Sequence, residues 1–198
     1  EAIKIHSEEI KAIENNKAAP TFENTIEALD YSGEMLNLVS KTFDVLYNAN
    51  TNDSLDQIAE EVSPMLSEHN DNLYLNKKLF HRIQIIYKSA EADSLNAEQK
   101  RLLEEYYKNF VRSGALLTDK SKNRLRVINK DIARLELIFA KNVLAETNAF
   151  KLILDKKSDL AGLTEDQITA AAQEAKDNGM VGKWVFTLQK PGLIPFLQ

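Results

Sequence analysis

Apolar residues recur at helical spacing along most of this chain, and this periodicity constrains its fold more than any other feature. They advance in steps of three, four or seven from Phe22 to Leu46, and in alternating steps of three and four from Leu125 to Phe139. Only 6 glycines and 4 prolines interrupt 198 residues. The pattern predicts a mainly α protein, a multi-helix bundle of long antiparallel helices.

Capping residues and helix breakers divide the helical region. A short amphipathic helix is predicted up to Glu14, followed by the linker NNKAAP. A long helix then starts in PTFENT, with Thr21 or Asn24 as its cap. It includes Gly33, at a cost of about 1 kcal/mol relative to alanine. A third helical segment is predicted from about residue 53 to 88, with a kink at Pro64 and a break at NDNLYLN.

Two further helices are predicted in the second half of the helical region. One follows Asn96, which has Gln99 at the capping-box spacing. The longest runs from Thr118 to about Asn148 and carries a heptad-like seam, which we expect to pack against a partner helix. The seam consists of Leu125, Ile128, Ile132, Leu135 and Phe139.

The pattern changes near Phe150, where a small β element begins. FKLILD and KWVFTLQ read as strands, and the stretch between them reads as a helix capped by Thr164 and Gln167. KPGLIP should stop the second strand. We therefore expect an N-terminal helical domain over 1–148 and a strand–helix–strand segment over 149–198.

Composition restricts the partners. A net charge of −5 argues against nucleic acid, which would favour a basic surface. No apolar run approaches the roughly 20 residues that span a bilayer, so no membrane partner is expected. Cysteine is absent, which excludes disulfides and thiolate chemistry. The chain opens at Glu1 and ends on apolar GLIPFLQ, so we expect a piece of a longer protein, cytoplasmic or alternatively periplasmic.

No catalytic or metal-binding residue is predicted from the sequence. Of the three histidines, His69 precedes asparagine and His81 precedes arginine, so neither begins HExxH. His6 also lacks the glutamate three residues earlier that the Glu-x-x-His motif of di-metal bundles requires. No G-x-S-x-G elbow or phosphate-binding glycine motif is present. The histidines are interpreted as surface or packing residues.

One charge feature has two interpretations. Lys122, Arg126 and Lys130 are spaced four apart and fall on one helix face. The simpler interpretation is a solvated face. The alternative is a basic wall that attracts an anionic ligand or a peptide carboxylate.

The chain resembles the M3 family of zinc metallopeptidases, especially its peptidyl-dipeptidase and oligopeptidase A branch. The resemblance starts at APTFENTIEAL and continues in order through ANTND, LYLNKKLF, LLEEYYKNFVRSGALL, NVLAETNAF, DLAGL and GKWVFTLQKP. These motifs cover nearly the whole chain. Their order and spacing carry the resemblance, because no single motif is decisive.

The resemblance implies a parent enzyme that binds zinc through HExxH and releases C-terminal dipeptides from short unstructured peptides. HExxH is absent from this sequence, so the resemblance implies a non-catalytic N-terminal portion that is itself inactive and free of zinc. This portion would form one wall of the substrate channel, for which Lys122, Arg126 and Lys130 are the candidate residues. Residues 149–198 would lead toward the intramolecular catalytic domain against which the portion packs. An exposed apolar face is expected where that domain docks. The alternative is a stand-alone helical interaction module without enzymatic activity.

Overall fold

The computed structural model describes residues 1–89, 91–189 and 194, and most of this backbone is helical. The helices are α1 (Ala2–Glu14), α2 (Ala28–Tyr31), α3 (Glu34–Asn50), α4 (Asp53–Tyr74), α5 (Lys77–Tyr87), α6 (Glu91–Ser94), α7 (Ala97–Arg112), α8 (Asp119–Ala149) and α9 (Glu165–Asp177). A π-helix over Phe22–Glu27 leads into α2, and a 3-10 helix covers Lys157–Leu160. The predicted mainly α class is confirmed.

The chain divides into two compact units, residues 1–135 and 136–198, and the division falls within α8. The boundary expected at residue 148 stays a prediction. None of the described helices has both the length and the apolar character needed to cross a bilayer.

The core of the first unit is formed by α1, the π-helix with α2, α5 and α7. Its apolar residues recur at helical spacing, so each element buries one stripe. Aromatic rings fill the space between α5 and α7, where Phe80 stacks on Tyr107 and Phe110. The fully buried or nearly buried members are Ile10, Ile13, Phe22, Ile26, Leu29, Leu79, Phe80, Ile83, Ile86, Leu103, Phe110 and Ala115.

The second unit contains the predicted β element. Strands β1 (Leu152–Leu154) and β2 (Trp184–Phe186) pair antiparallel, with Ile153 opposite Val185. Helix α9 packs on β2 and begins with the predicted capping box of Thr164 and Gln167. The KPGLIP stop lies outside the described residues, apart from Ile194.

The prediction of one continuous long helix that starts in PTFENT is wrong. It breaks at Ser32 and Gly33, where Gly33 adopts a left-handed φ of 75° and becomes the N-cap of α3. Glycine is favoured there because a Cβ would lie 2.8 Å from the ring of His6. The third segment divides at Leu75 and Asn76, as predicted. Helix α4 contains Pro64, and the kink expected there stays a prediction.

Candidate functional site

Arg82 is the buried centre of the structure around the PTFENT motif. It lies on α5, and only 6% of its surface is exposed. Its Nη1 donates to the carbonyls of Asn16 and Ala18 at 3.0 and 3.3 Å. Its Nε donates to Thr25 Oγ1 at 3.2 Å, and its Nη2 donates to Asn24 Oδ1 at 2.7 Å. Arg82 thus ties α5 to the linker after α1 and to the π-helix.

Three polar residues of PTFENT, namely Thr21, Asn24 and Thr25, take part in this arrangement. Thr21 is the helix cap, and Asn24 completes a capping box with it, which settles the choice left open by the sequence. Asn24 Oδ1 accepts from the Thr21 backbone amide at 3.0 Å as well as from Arg82. Its Nδ2 donates to the Ala19 carbonyl at 2.8 Å. The motif therefore specifies both a helix start and an acceptor set for one guanidinium.

The π-helix explains how two consecutive residues can contact the same arginine. Adjacent residues in a regular α-helix point about 100° apart. The wider π winding over Phe22–Glu27 accompanies a geometry in which Asn24 and Thr25 both reach Arg82. Single turns of π-helix are rare and are often found where function constrains the backbone.

The sequence contained a signal for Arg82 that motif reasoning missed. Leu79, Arg82, Ile83 and Ile86 follow the spacing of a buried helical stripe, and all four are buried. A charged residue on such a stripe requires buried acceptors, because an unpaired charge in a core is costly. Its acceptors come from a segment more than fifty residues earlier, so spacing alone could not identify them.

The three members of the basic stripe have different surroundings. Lys122 is 4% exposed, and its Nζ donates to the Leu75 carbonyl, at the C-terminal end of α4, at 2.9 Å. Burial is the main cause that lowers the pKa of Lys122. Arg126 Nη1 donates to Asn72 Oδ1 at 2.8 Å, whereas Lys130 is exposed. The first two side chains therefore join α8 to the end of α4.

The histidines also differ from one another. His69 is buried on α4, and its Nε2 lies 2.9 Å from Nδ1 of the half-buried His6 on α1. His81 is exposed. Burial lowers the pKa of both His6 and His69. His6 falls between Ile3 and Ile10 at steps of three and four, which marks it as part of the inner face of α1.

Two helices expose apolar side chains instead of burying them. Helix α3 has no buried residue, and five of its large apolar residues are at least half exposed: Met35, Leu38, Val39, Val45 and Leu46. Monomeric soluble proteins rarely leave large contiguous apolar patches open to water. The α3 surface therefore has the character of an interface.

The α8 seam is exposed in the same way. Ile128, Ile132, Leu135 and Phe139 are 37%, 45%, 53% and 70% exposed. These exposed side chains are available for a partner, and the partner helix that the heptad pattern predicts stays a prediction. The expected exposed apolar face is present.

Comparison with known proteins identifies the chain's relatives. The family described as "Neurolysin/Thimet oligopeptidase, N-terminal domain" matches residues 1–122. The chain belongs to this family. The resemblance seen in the sequence, to an N-terminal portion of M3-family proteins, is confirmed.

Relatives of this M3 N-terminal domain carry peptidase names. The chain is 36% identical over 189 residues to "Dipeptidyl carboxypeptidase" of Escherichia coli, covering 93% of the chain and 28% of that protein. It is 35% identical over 197 residues to the Salmonella typhimurium protein of the same name, covering 98% and 29%. "Oligopeptidase A" of Haemophilus influenzae is 28% identical over 177 residues, covering 89% and 26%. The chain thus spans less than a third of the length of these relatives.

Proposed function

We propose that this chain is the non-catalytic N-terminal domain of a zinc-dependent peptidyl-dipeptidase or oligopeptidase. In this role it forms one wall of the channel through which short unstructured peptides reach the catalytic centre. The observation that carries the proposal is the match to an M3 N-terminal domain, with peptidase relatives more than three times as long. We expect the residues that bind zinc and cleave the peptide bond in the remaining part of the parent.

The donor groups of this chain do not fit the zinc that the family implies. A zinc peptidase site needs at least three protein ligands that converge on one point. The described residues contain no group of three or more His, Asp or Glu side chains placed to hold a metal ion. The two neighbouring histidines face each other through a hydrogen bond. No catalytic step is therefore assigned to any residue of this chain.

The exposed helix faces support docking to a catalytic domain. A domain that folds against a larger partner keeps an apolar face for it, which is open when the partner is absent. The α8 seam and the exposed residues of α3 have this property. In the parent we expect the catalytic domain to cover the α8 seam and exclude water from it.

The basic stripe receives a narrower role in this proposal. Lys122 donates to a carbonyl inside the fold, so the accessible charge belongs to Lys130 and in part to Arg126. We expect Lys130→Ala in the parent to raise KM for anionic peptides about two- to three-fold at low salt, and to have no effect above about 0.5 M salt, because screening removes exposed charge interactions. The matched control is Lys120→Ala, also exposed on α8. If Lys130→Ala and Lys120→Ala had equal effects on KM, the stripe would be only a solvated face.

The proposed function is tested by assaying the parent protein and this chain side by side. With a fluorogenic peptide and added zinc, the parent should release C-terminal dipeptides, and a chelator should abolish this activity. The chain alone should show no turnover above buffer. Turnover by the purified chain, or a parent whose activity is unaffected by zinc removal, would contradict the proposal. A parent without peptidase activity would favour the helical interaction module.

A further inference from the structure

A continuous chain of hydrogen bonds joins three elements of the first unit through His6 and His69. His69 Nε2 lies 2.9 Å from His6 Nδ1, with ring centroids 4.8 Å apart and a tilt of 57°. Ser7 Oγ lies 3.3 Å from the other nitrogen of His69, Nδ1. Ser32 Oγ lies 3.3 Å from the other nitrogen of His6, Nε2. The chain thus connects α1, α4 and the turn between α2 and α3.

The serine hydroxyls decide where the protons lie. Ser7 Oγ donates to the Ile3 carbonyl at 2.7 Å, so it accepts from Nδ1–H of His69. A neutral His69 then has a bare Nε2, which accepts from Nδ1–H of His6. Both rings are neutral in this arrangement, and the bare Nε2 of His6 accepts from the Ser32 hydroxyl, which then turns its hydrogen away from the Leu29 carbonyl. Of the two nitrogens that face each other, Nδ1 of His6 is the donor and Nε2 of His69 is the acceptor, so a single proton lies between the rings.

The pair can hold one additional proton but not two. With one, His69 donates from both nitrogens, His6 accepts at Nδ1 and donates from Nε2 to Ser32, and Ser32 donates to the Leu29 carbonyl at 2.7 Å. With two, an N–H on each ring points at the other across 2.9 Å and no acceptor lies between them. Two positive charges would also repel each other in a partly buried site.

Charged groups near the two rings do not offset the cost of placing two protons on the pair. On α1, Glu9 accepts from the Gly33 amide at 2.7 Å, and its charge raises the pKa of His6, but burial lowers that pKa by more. On α4 the neighbouring titratable group is His69, whose pKa is lowered by burial and by His6. The turn contributes only the Ser32 hydroxyl and the Gly33 backbone. Gly33 packs directly on the His6 ring, where there is no room for a Cβ between the ring and the turn.

We propose that His6 and His69 form a proton-operated latch that fastens α1 to α4 and to the start of α3 near neutral pH and releases them when both rings are protonated. The latch is a property of this chain and does not depend on the proposed function. The lowered histidine pKa values determine the direction in which stability depends on pH. Their contribution to stability is complete above about pH 6.5, the value expected for the unfolded chain, and is lost as pH falls from there through the lower pKa of the folded state.

Urea unfolding of this chain and its variants at pH 7.5 and 5.0 tests the latch. Acidification should raise the unfolded-to-folded ratio several-fold more in the wild-type chain than in His69→Gln, whose amide hydrogen-bonds but does not titrate. His81→Gln, at the exposed histidine, should keep the wild-type pH dependence. Equal pH dependence in all three proteins would overturn the proposal.

Nitrogen NMR of the wild-type imidazoles provides a test even if His69→Gln does not fold. At pH 7.5 both rings should be neutral, and His69 should carry its proton on Nδ1. The protection factors of the α1 amides, which correct exchange rates for their intrinsic pH dependence, should fall severalfold at pH 5.0, and those of the α7 amides should not. Two charged rings at pH 7.5, or unchanged α1 protection factors at pH 5.0, would overturn the proposal.

Discussion

Replacing Arg82 with methionine should lower the free energy of unfolding of this chain by about 3 kcal/mol or more. Methionine keeps most of the apolar stem but removes every donor. Four acceptors then lose a donor: the carbonyls of Asn16 and Ala18, Thr25 Oγ1, and Asn24 Oδ1, which keeps the Thr21 amide. Hydrogen bonds to a charged group contribute about 1.5–3 kcal/mol each, and removal of the buried charge offsets part of the sum. The change is measured from the urea midpoint at constant slope.

Two further variants separate the role of Arg82 from general effects of substitution. Arg82→Lys keeps the charge but cannot present the planar fork, so it should recover less than half of the loss. Arg124→Met, an exposed arginine on α8, should change stability by no more than about 0.5 kcal/mol. Equal stability of Arg82→Met and Arg124→Met would show that the Arg82 contacts do not hold the PTFENT segment in place.

Replacing Leu135 with lysine should weaken association of this chain with the remaining part of the parent by about 30-fold or more. Leu135 lies in the α8 seam and is 53% exposed in this chain. Interface residues whose truncation costs about 2 kcal/mol are central and buried, and 2 kcal/mol corresponds to about 30-fold. A lysine there also leaves a charge without a partner in an apolar contact.

The fold of the chain itself should tolerate this change. Lysine is a good helix former, and Asp131 lies four residues before it on α8, which favours the pair. Asn123→Lys is the matched control, because it adds the same charge on the opposite side of α8. Association is measured by titration calorimetry and stability by urea unfolding. Equal association constants for both variants would show that the catalytic domain does not dock on the seam.

Local signals allowed much of the fold to be predicted. The capping boxes at Asn96 and Thr164 depend on residues three apart, and both are formed. The antiparallel pairing of β1 and β2 was predicted from two short apolar stretches on either side of a well-capped helix. Each of these features is specified within a few residues of where it occurs.

The errors arose where distant contacts override local pattern. The break at Gly33 depends on the ring of His6, and the burial of Lys122 depends on the carbonyl of Leu75. The buried acceptors of Arg82 lie in a segment that spacing alone cannot place beside α5. The apolar periodicity of α8 correctly predicted a helix, but four of the five seam residues are exposed. Periodicity indicates which face will be buried and not what will bury it.

The most direct test of the account is reconstitution of the parent from two pieces. This chain and the remaining part of the parent are purified separately and assayed with zinc and a fluorogenic peptide, alone and mixed. We predict no turnover by the chain, little by the remainder, and recovery of dipeptide release on mixing that Leu135→Lys impairs and Asn123→Lys does not. Turnover by the chain alone, or full activity of the remainder without it, would contradict the assignment of a non-catalytic domain required to complete the substrate channel.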